Sequence, residues 1–269
     1  MSGRPGTLDV AREGAVAWVV MHRGGNNAMA PDIAGELEEA FAGLGTDPEV
    51  RAVVLKSAYE RHFSVGADLS AMAAVDRGAE GAEKAIAAMS AAMSASFTAV
   101  ERCPKPVIAA IAGHALGAGC ELALCCDYRL MANDGRATIG LTEASLGIMP
   151  GAGGTQRLPR LIGRGRALPL LLEGRRLLAP EAEAIGLVHR ALPAADLEGA
   201  AAELAGRLSR AATRALALIK EAVVEGLDMT LEEGLRLEAR NFARASLTED
   251  AAVGVMSFLA KQAPTFKGR

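Results

Sequence analysis

Two spacings of apolar residues alternate along the first two thirds of the chain. Runs of consecutive apolar residues, typical of buried strands, cover residues 15–21, 50–56, 106–112, 129–132 and 137–139. Helices are predicted over residues 32–43, 79–102 and 120–126, the first two from apolar positions three and four residues apart. From residue 163 onward the pattern is almost wholly helical. This order predicts an α/β fold with a helical C-terminal region.

The division between these two parts is gradual. No linker rich in serine or glycine separates them, and no repeat of fixed period is visible. We therefore expect a core over residues 1–205 and a helical region over 206–269, with a soft boundary between them.

Composition narrows the class of protein. The chain has 269 residues, 51% of them hydrophobic, and a net charge of −3, which indicates an ordinary globular protein. The chain has no excess of basic residues and only 3% aromatic residues, so nucleic acid is not expected as a partner. Apolar stretches are broken well short of the ~18 residues that a membrane helix needs, so no membrane partner is expected.

The cysteines and the first residues bear on the cellular compartment. None of the four cysteines forms a CxxC motif, and three of them lie in one apolar segment, which indicates buried thiols in a reducing environment. No apolar run follows the first residues, so we expect no signal peptide and a cytoplasmic location.

The motifs of several common enzyme classes are missing from the sequence. Neither 117–122 nor 150–155 fits GxGxxG or a P-loop, and GxSxG and HExxH are absent. An α/β enzyme that binds a nucleotide is therefore disfavoured, as are serine hydrolases and zinc proteases.

Three segments remain as candidates for chemistry. They are 63–69, a turn of small residues; 113–121, a glycine-rich turn that leads into a helix with an acid; and 142–147, which leads into 150–158. A helix N-terminus presents free N–H groups that can stabilise an oxyanion. Taken alone, each segment is more simply an ordinary turn or a capped helix.

In order and spacing, these segments resemble the enoyl-CoA hydratase/isomerase (crotonase) superfamily. The resemblance covers almost the whole chain, and the string 150–158 is among its most distinctive parts. It implies a spiral of ββα turns and a helical C-terminal region used for trimerisation, usually in a hexamer of two trimers. It also implies a coenzyme A thioester as the ligand.

The resemblance assigns roles to individual residues. The two oxyanion N–H donors correspond to Ala67 and Ala118, where the family more often has glycine at position 118. The two hydratase glutamates correspond to Glu121 and Glu143. Contacts to substrate or coenzyme A are expected at Val65, Gly66, Asp68, Leu69 and Gly117 and, in the C-terminal tail, at Phe242 and Lys261. No metal and no cofactor beyond the coenzyme A of the substrate is expected.

Because both glutamates are present, the expected activity is that of an enoyl-CoA hydratase, a hydro-lyase of fatty-acid β-oxidation or related acyl-CoA catabolism. Glu121 would deprotonate the water and Glu143 would protonate Cα. A Δ3,Δ2-enoyl-CoA isomerase, or a hydratase for a branched 3-methylglutaconyl-type substrate, stays open as an alternative. A non-enzymatic acyl-CoA-binding scaffold is less favoured, because idle buried acids are costly.

Overall fold

A computed structural model describes residues 6–76 and 78–269. The first five residues, on which the expectation of no signal peptide partly rests, lie outside the described residues. The described strands are β1 (Leu8–Glu13), β2 (Val16–Met21), β3 (Ala52–Ser57), β4 (His62–Ser64), β5 (Val107–Ile111), β6 (His114–Leu116), β7 (Tyr128–Ala132), β8 (Thr138–Gly140), β9 (Leu177–Leu178) and β10 (Arg190–Leu192).

The helices follow the spacing of apolar positions. They are α1 (Pro31–Thr46), α2 (Ser70–Ala73), α3 (Ala82–Glu101), α4 (Ala118–Leu124), α5 (Gly154–Ile162), α6 (Arg164–Glu173), α7 (Ala179–Ala184), α8 (Leu197–Ser209), α9 (Thr213–Gly226), α10 (Leu231–Ser246) and α11 (Glu249–Leu259). Two short 3-10 helices cover Glu143–Leu146 and Ala194–Asp196.

The larger sheet has six strands in the order β1-β2-β3-β5-β7-β10. All neighbours pair in parallel except β1 and β2, which form an antiparallel pair. β3 and β5 are buried along almost their whole length, which explains why their sequences are continuous apolar runs rather than alternating ones.

The smaller sheet has the order β4-β6-β8-β9. The candidate turns of small residues follow its strands β4 and β6. Each of β4, β6 and β8 follows a strand of the larger sheet after a few residues, and β4 and β6 lead on to helices α2 and α4. This repetition of strand, strand and helix is the spiral of ββα turns that the family resemblance implies, and the expected fold class is confirmed.

The core has two layers, one on each face of the larger sheet. One layer joins that sheet to α1, α3, α4 and the smaller sheet, and includes Phe41, Phe63 and Phe97. The other is formed by α8 against the opposite face, where Trp18 and Leu204 are buried. The expected boundary at 205/206 therefore lies inside a core helix, and the helices beyond the core begin with α9.

Several short elements differ from the sequence expectation, among them β4, β9 and β10, which no apolar run predicts. The segment 113–119, expected as a turn, contains the short strand β6, because His114–Leu116 pairs with the smaller sheet. The apolar pattern does not predict strand β1, since most of its residues are exposed and its apolar residues form no run. In the described part of the chain, no helix is long and apolar enough to cross a membrane.

Candidate active site

The turn after β4 presents the N–H group of Ala67. Met29 N donates to Gly66 O (2.8 Å), and Asp68 N donates to Met29 O (2.7 Å), so the backbone is held on both sides of Ala67. Ser64 Oγ supports the same turn by accepting a hydrogen bond from Gly66 N (3.2 Å). Ala67 itself is exposed, and no described protein acceptor takes its N–H. This donor is therefore free for a ligand.

The turn after β6 presents a second free donor, the N–H of Ala118. Gly117 has φ +51° and ψ −124°, a conformation essentially restricted to glycine, and its own N–H donates to Gly140 O (2.9 Å). Ala118 is the first residue of α4, so its N–H has no intrahelical acceptor. The positive φ falls on Gly117, which is why alanine fits at position 118.

The two turns touch each other. A β-carbon at Gly66, where φ is +110°, would lie 3.1 Å from Leu116 O and 3.7 Å from Ala118 N. A β-carbon at Gly119 would lie 2.6 Å from the β-carbon of Ser64. Only glycine permits this approach, which brings the free N–H groups of Ala67 and Ala118 into one neighbourhood.

Glu121 lies on the first turn of α4 with only 1% of its surface exposed. Its Oε1 accepts hydrogen bonds from Ala152 N (2.8 Å) and Gly154 N (2.7 Å). Burial raises the pKa of this carboxyl, while the two N–H donors and the charge of Arg157 oppose the rise. One carboxylate oxygen is thus fixed by the backbone, and Oε2 is left for other partners.

Glu143 begins the short 3-10 helix and is 9% exposed. Its buried Oε2 has no described hydrogen-bond partner. Burial, with a smaller contribution from the charge of Glu121, raises the pKa of Glu143 to about 7. A carboxyl with this pKa is largely protonated in weak acid and can act as a proton donor near neutrality.

Gly117 is the point where these groups meet. A β-carbon there would lie 2.9 Å from Glu143 Oε1 and 3.6 Å from the α-carbon of Gly66. Glu121 N donates to Gly117 O (3.0 Å), which places Glu121 one helical turn away. The structure therefore brings together four of the predicted residues: Ala67, Ala118, Glu121 and Glu143.

The other predicted contact residues lie in two parts of the chain, the turn after β4 and the C-terminal region. Val65, Gly66 and Asp68 belong to the first turn, and Asp68 is bonded to Ser70 (2.6 Å) and Arg23 (3.3 Å). Leu69, the residue before α2, is 37% exposed. Phe242 lies on α10 and Lys261 lies just after α11, and both are exposed. Helix α10 packs against α9 and α11.

The sequence did not reveal how Glu121 is held. Its partners Ala152 and Gly154 are 31 and 33 residues away and act through backbone N–H groups, which no residue type identifies. The available signal was the glycine pair in the string 150–158: Gly153 has φ +107°, and a β-carbon at Gly154 would lie 3.0 Å from Glu121 Oε1. Within 6–76 and 78–269, no group of three His, Cys, Asp or Glu residues could hold a metal ion.

Comparison with known proteins relates this geometry to a family. The family model described as enoyl-CoA hydratase/isomerase matches residues 11–269. The probable enoyl-CoA hydratase echA8 of Mycobacterium tuberculosis is 37% identical over 264 residues, 98% of each chain. The crotonyl-CoA hydratase of Syntrophomonas wolfei is 37% identical over 246 residues, 89% of each chain.

A solved structure agrees over the whole length. The crystal structure of an enoyl-CoA hydratase from Bacillus anthracis superposes with a TM-score of 0.89 at 36% identity, covering 98% of this chain and all of the other. Sequence and fold thus agree from the first strands to the C-terminal tail. The protein belongs to the enoyl-CoA hydratase/isomerase family.

Proposed function

We propose that the protein is an enoyl-CoA hydratase, which adds water across the α,β double bond of a 2-enoyl-CoA to give a 3-hydroxyacyl-CoA. The observation that carries this proposal is the meeting of two free N–H groups and two buried carboxyls around Gly117. The family and the names of its relatives support the same activity.

The two N–H groups can stabilise the negative charge that develops during the reaction. As water attacks Cβ, negative charge develops on the thioester oxygen, in an enolate-like transition state. The N–H groups of Ala67 and Ala118 would donate to that oxygen, and one such donor can be worth roughly 3 kcal/mol of transition-state stabilisation. Because the turns are fixed by backbone bonds, the donors need no reorganisation when charge develops.

The reaction also needs a base that deprotonates the water and an acid that protonates Cα, and the two carboxyls can supply both. Glu121, with Oε1 held by two N–H donors, is suited to remain ionised and to accept the proton of the water through Oε2. Glu143, whose pKa is about 7, is suited to deliver a proton to Cα. This chemistry uses no group besides the chain and the substrate, so no cofactor is proposed.

Substrate binding and assembly belong to the same proposal. The acyl-CoA would pass over Val65, Gly66, Asp68, Leu69 and Gly117. Phe242 and Lys261 would contact coenzyme A from a neighbouring subunit of a homotrimer or of a hexamer of two trimers, since both are exposed. A cytoplasmic role in acyl-CoA catabolism is consistent with four free, buried cysteines.

The proposal is tested by following loss of the conjugated enoyl thioester absorbance with crotonyl-CoA. Glu121→Gln and Glu143→Gln keep the shape of the side chains, and each should lower kcat by roughly 10²–10⁴ with KM little changed. The double variant should lose less than the product of the single losses, because both groups act on one water. Absence of hydration by the unaltered protein across a series of enoyl chain lengths would reject the proposal.

The same variants separate the alternative functions. An isomerase needs a single group to move a proton between carbons, so only Glu143→Gln should lower the conversion of a 3-enoyl-CoA. A non-enzymatic scaffold would bind coenzyme A thioesters with no rate for any variant to lower. Exchange of the Cα proton of a saturated acyl-CoA in deuterated water assigns the carbon acid: exchange lost in Glu121→Gln but kept in Glu143→Gln would reverse the two roles.

A further inference from the structure

The guanidinium of Arg157, on α5, ties together the elements around Glu121. Its Nε and Nη2 donate to Glu101 Oε1 (3.0 Å) and Oε2 (2.7 Å), a bidentate pair with α3. Nη2 also donates to Thr98 Oγ1 (3.0 Å), and Nη1 donates to Ala152 O (3.0 Å). One side chain thus links α3, α5 and the turn 151–154.

The turn 151–154 is built around this guanidinium. Gly153 has φ +107°, and a β-carbon there would lie only 2.0 Å from Arg157 Nη1. The guanidinium therefore occupies the space that a side chain at position 153 would need. A second bond ties the turn to α3, because Ser90 Oγ donates to Gly151 O.

The opposite side of the same turn holds Glu121. Ala152 receives the hydrogen bond of Arg157 on its carbonyl, while its N–H and that of Gly154 donate to Glu121 Oε1. Arg157 forms its ion pair with Glu101, not with Glu121. Its influence on Glu121 therefore passes through the backbone and through its charge rather than through direct contact.

We propose that Arg157 is a positioning residue that holds the turn 151–154 in the shape that fixes Glu121 Oε1, so that Oε2 faces the reacting water. This inference rests on the proposed hydratase function. It assigns to α3 a part in catalysis, because the Glu101 carboxylate anchors the guanidinium at a part-buried site.

Removing Arg157 should also change the charge state of Glu121. The groups that face Glu121 or its support are Glu143, Arg157, Glu101 and the thiols of Cys120 and Cys125. Burial raises the pKa of both thiols, so they stay neutral. Among these groups Arg157 is the cation, and its charge lowers the pKa of Glu121. Without it, Glu121 should take up a proton at higher pH.

Steady-state kinetics with crotonyl-CoA give the first test. Arg157→Gln should lower kcat at least tenfold with KM changed less than threefold, and should move the acid limb of the kcat/KM profile to higher pH. Arg157→Lys keeps the charge but loses the bidentate geometry, so its acid limb should move less. Arg160→Gln is the matched control, since Arg160 lies on the same helix, is exposed and bonds to Gln156 and Asp228. A folded Arg157→Gln enzyme with unchanged kcat and acid limb would overturn the inference.

A second readout does not depend on activity. In protein labelled with ¹⁵N-glycine, the amide signal of Gly154 should follow the titration of Glu121, and that titration should move to higher pH in Arg157→Gln. If the unaltered protein does not hydrate but this shift is seen, the proposed function fails and the positioning role stands. If it hydrates and the Gly154 titration is the same in both proteins, the positioning role fails alone. If Arg157→Gln does not fold, Glu101→Gln serves, because it removes the anchor and keeps the cation. The Gly154 amide signal should then shift or broaden at fixed pH as the turn loosens, and an unchanged signal would overturn the positioning role.

Discussion

At the scale of single residues, Glu121 and Glu143 are both buried acids, but their surroundings differ. Two backbone N–H groups stabilise the charge of Glu121, whereas Glu143 Oε2 has no described partner. The environment of Glu143 therefore favours the neutral acid, and its pKa is raised to about 7. Unequal surroundings of this kind allow one pair of identical side chains to supply both a base and an acid.

The raised pKa of Glu143 predicts an alkaline limb in the pH dependence of hydration. If Glu143 must be protonated to deliver a proton to Cα, kcat/KM should fall about tenfold per pH unit above about pH 7, separately from the acid limb at which Glu121 takes up a proton. The measurement is kcat/KM for crotonyl-CoA from pH 5 to 9. The Arg160→Gln enzyme should show the same limb. A profile that stays flat to pH 9 would contradict the assignment of Glu143 as the acid.

The same pKa predicts a pH-dependent effect on stability. Because the pKa rises from 4.5 to about 7 on folding, Glu143 favours the folded state when protonated, and this contribution is lost as the pH rises through 7. Glu143→Gln should therefore raise Tm relative to the unaltered protein at pH 8 but not at pH 5. A gain of several degrees is expected, at about 2–4 °C per kcal/mol for a chain of this size. An equal difference at both pH values would exclude titration of Glu143 as the cause.

Gly117 allows a prediction about sterics at the centre of the site. In Gly117→Ala the new methyl group would lie 2.9 Å from Glu143 Oε1, on a backbone with φ +51°. We expect kcat for crotonyl-CoA to fall at least tenfold and the strained backbone to cost about 1–3 kcal/mol of stability. Gly135→Ala is the matched control, because φ is +73° there but the β-carbon would meet nothing within 4 Å. Equal losses of activity in both variants would show that backbone strain alone is responsible.

At the scale of elements, the sequence predicted the strands and helices whose burial is continuous or periodic. Apolar runs predict β2, β3 and β5, and helical spacing predicts α1 and α3. The short strands of the smaller sheet are harder to predict from the sequence, because β4 and β6 have three residues each and are defined by pairing partners far along the chain. The site glutamates were found through the family resemblance, whereas their backbone partners depend on tertiary contacts.

The C-terminal tail is an element held by one buried carboxylate. Asp250 is 1% exposed, and its two oxygens accept from Lys267 N (2.7 Å) and Gly268 N (2.6 Å). On the core side, Arg51 Nη1 donates to Phe266 O (3.2 Å). The backbone of the tail thus joins α11 to the residue before β3 through hydrogen bonds with the side chains of Asp250 and Arg51.

This arrangement predicts that Asp250→Ala lowers the free energy of unfolding by about 1–3 kcal/mol, because two tail N–H groups lose their acceptor. Thermal unfolding and trypsin cleavage at Lys267 would report the loss and the release of the tail. Glu249→Ala is the control: its ion pair with Arg269 is exposed and should contribute less than about 1 kcal/mol. Equal stability of the two variants would refute the anchoring role of Asp250.

At the scale of the whole molecule, the helices beyond the core leave large apolar side chains uncovered. Leu231, Leu247 and Phe258 are 80%, 88% and 82% exposed, and α10 buries only Leu237 and Asn241 against the rest of the chain. Apolar surface of this extent marks an interaction site in a globular protein. A homotrimer in which these helices pack on neighbouring subunits would cover it.

The trimer proposal makes a prediction that couples assembly to substrate binding. The unaltered protein should elute as a trimer or hexamer at micromolar concentration by light scattering, and Leu247→Glu and Phe258→Glu should shift it to lower mass, because a charge at an apolar interface is poorly solvated. Val10→Glu, a change of the same kind on the exposed strand β1, should leave the mass unchanged.

If Phe242 and Lys261 reach coenzyme A across the interface, the dissociated variants should also bind crotonyl-CoA more weakly, with a KM raised at least tenfold. A monomeric unaltered protein would exclude the trimer, and dissociated variants with normal KM would place both residues outside the coenzyme A site.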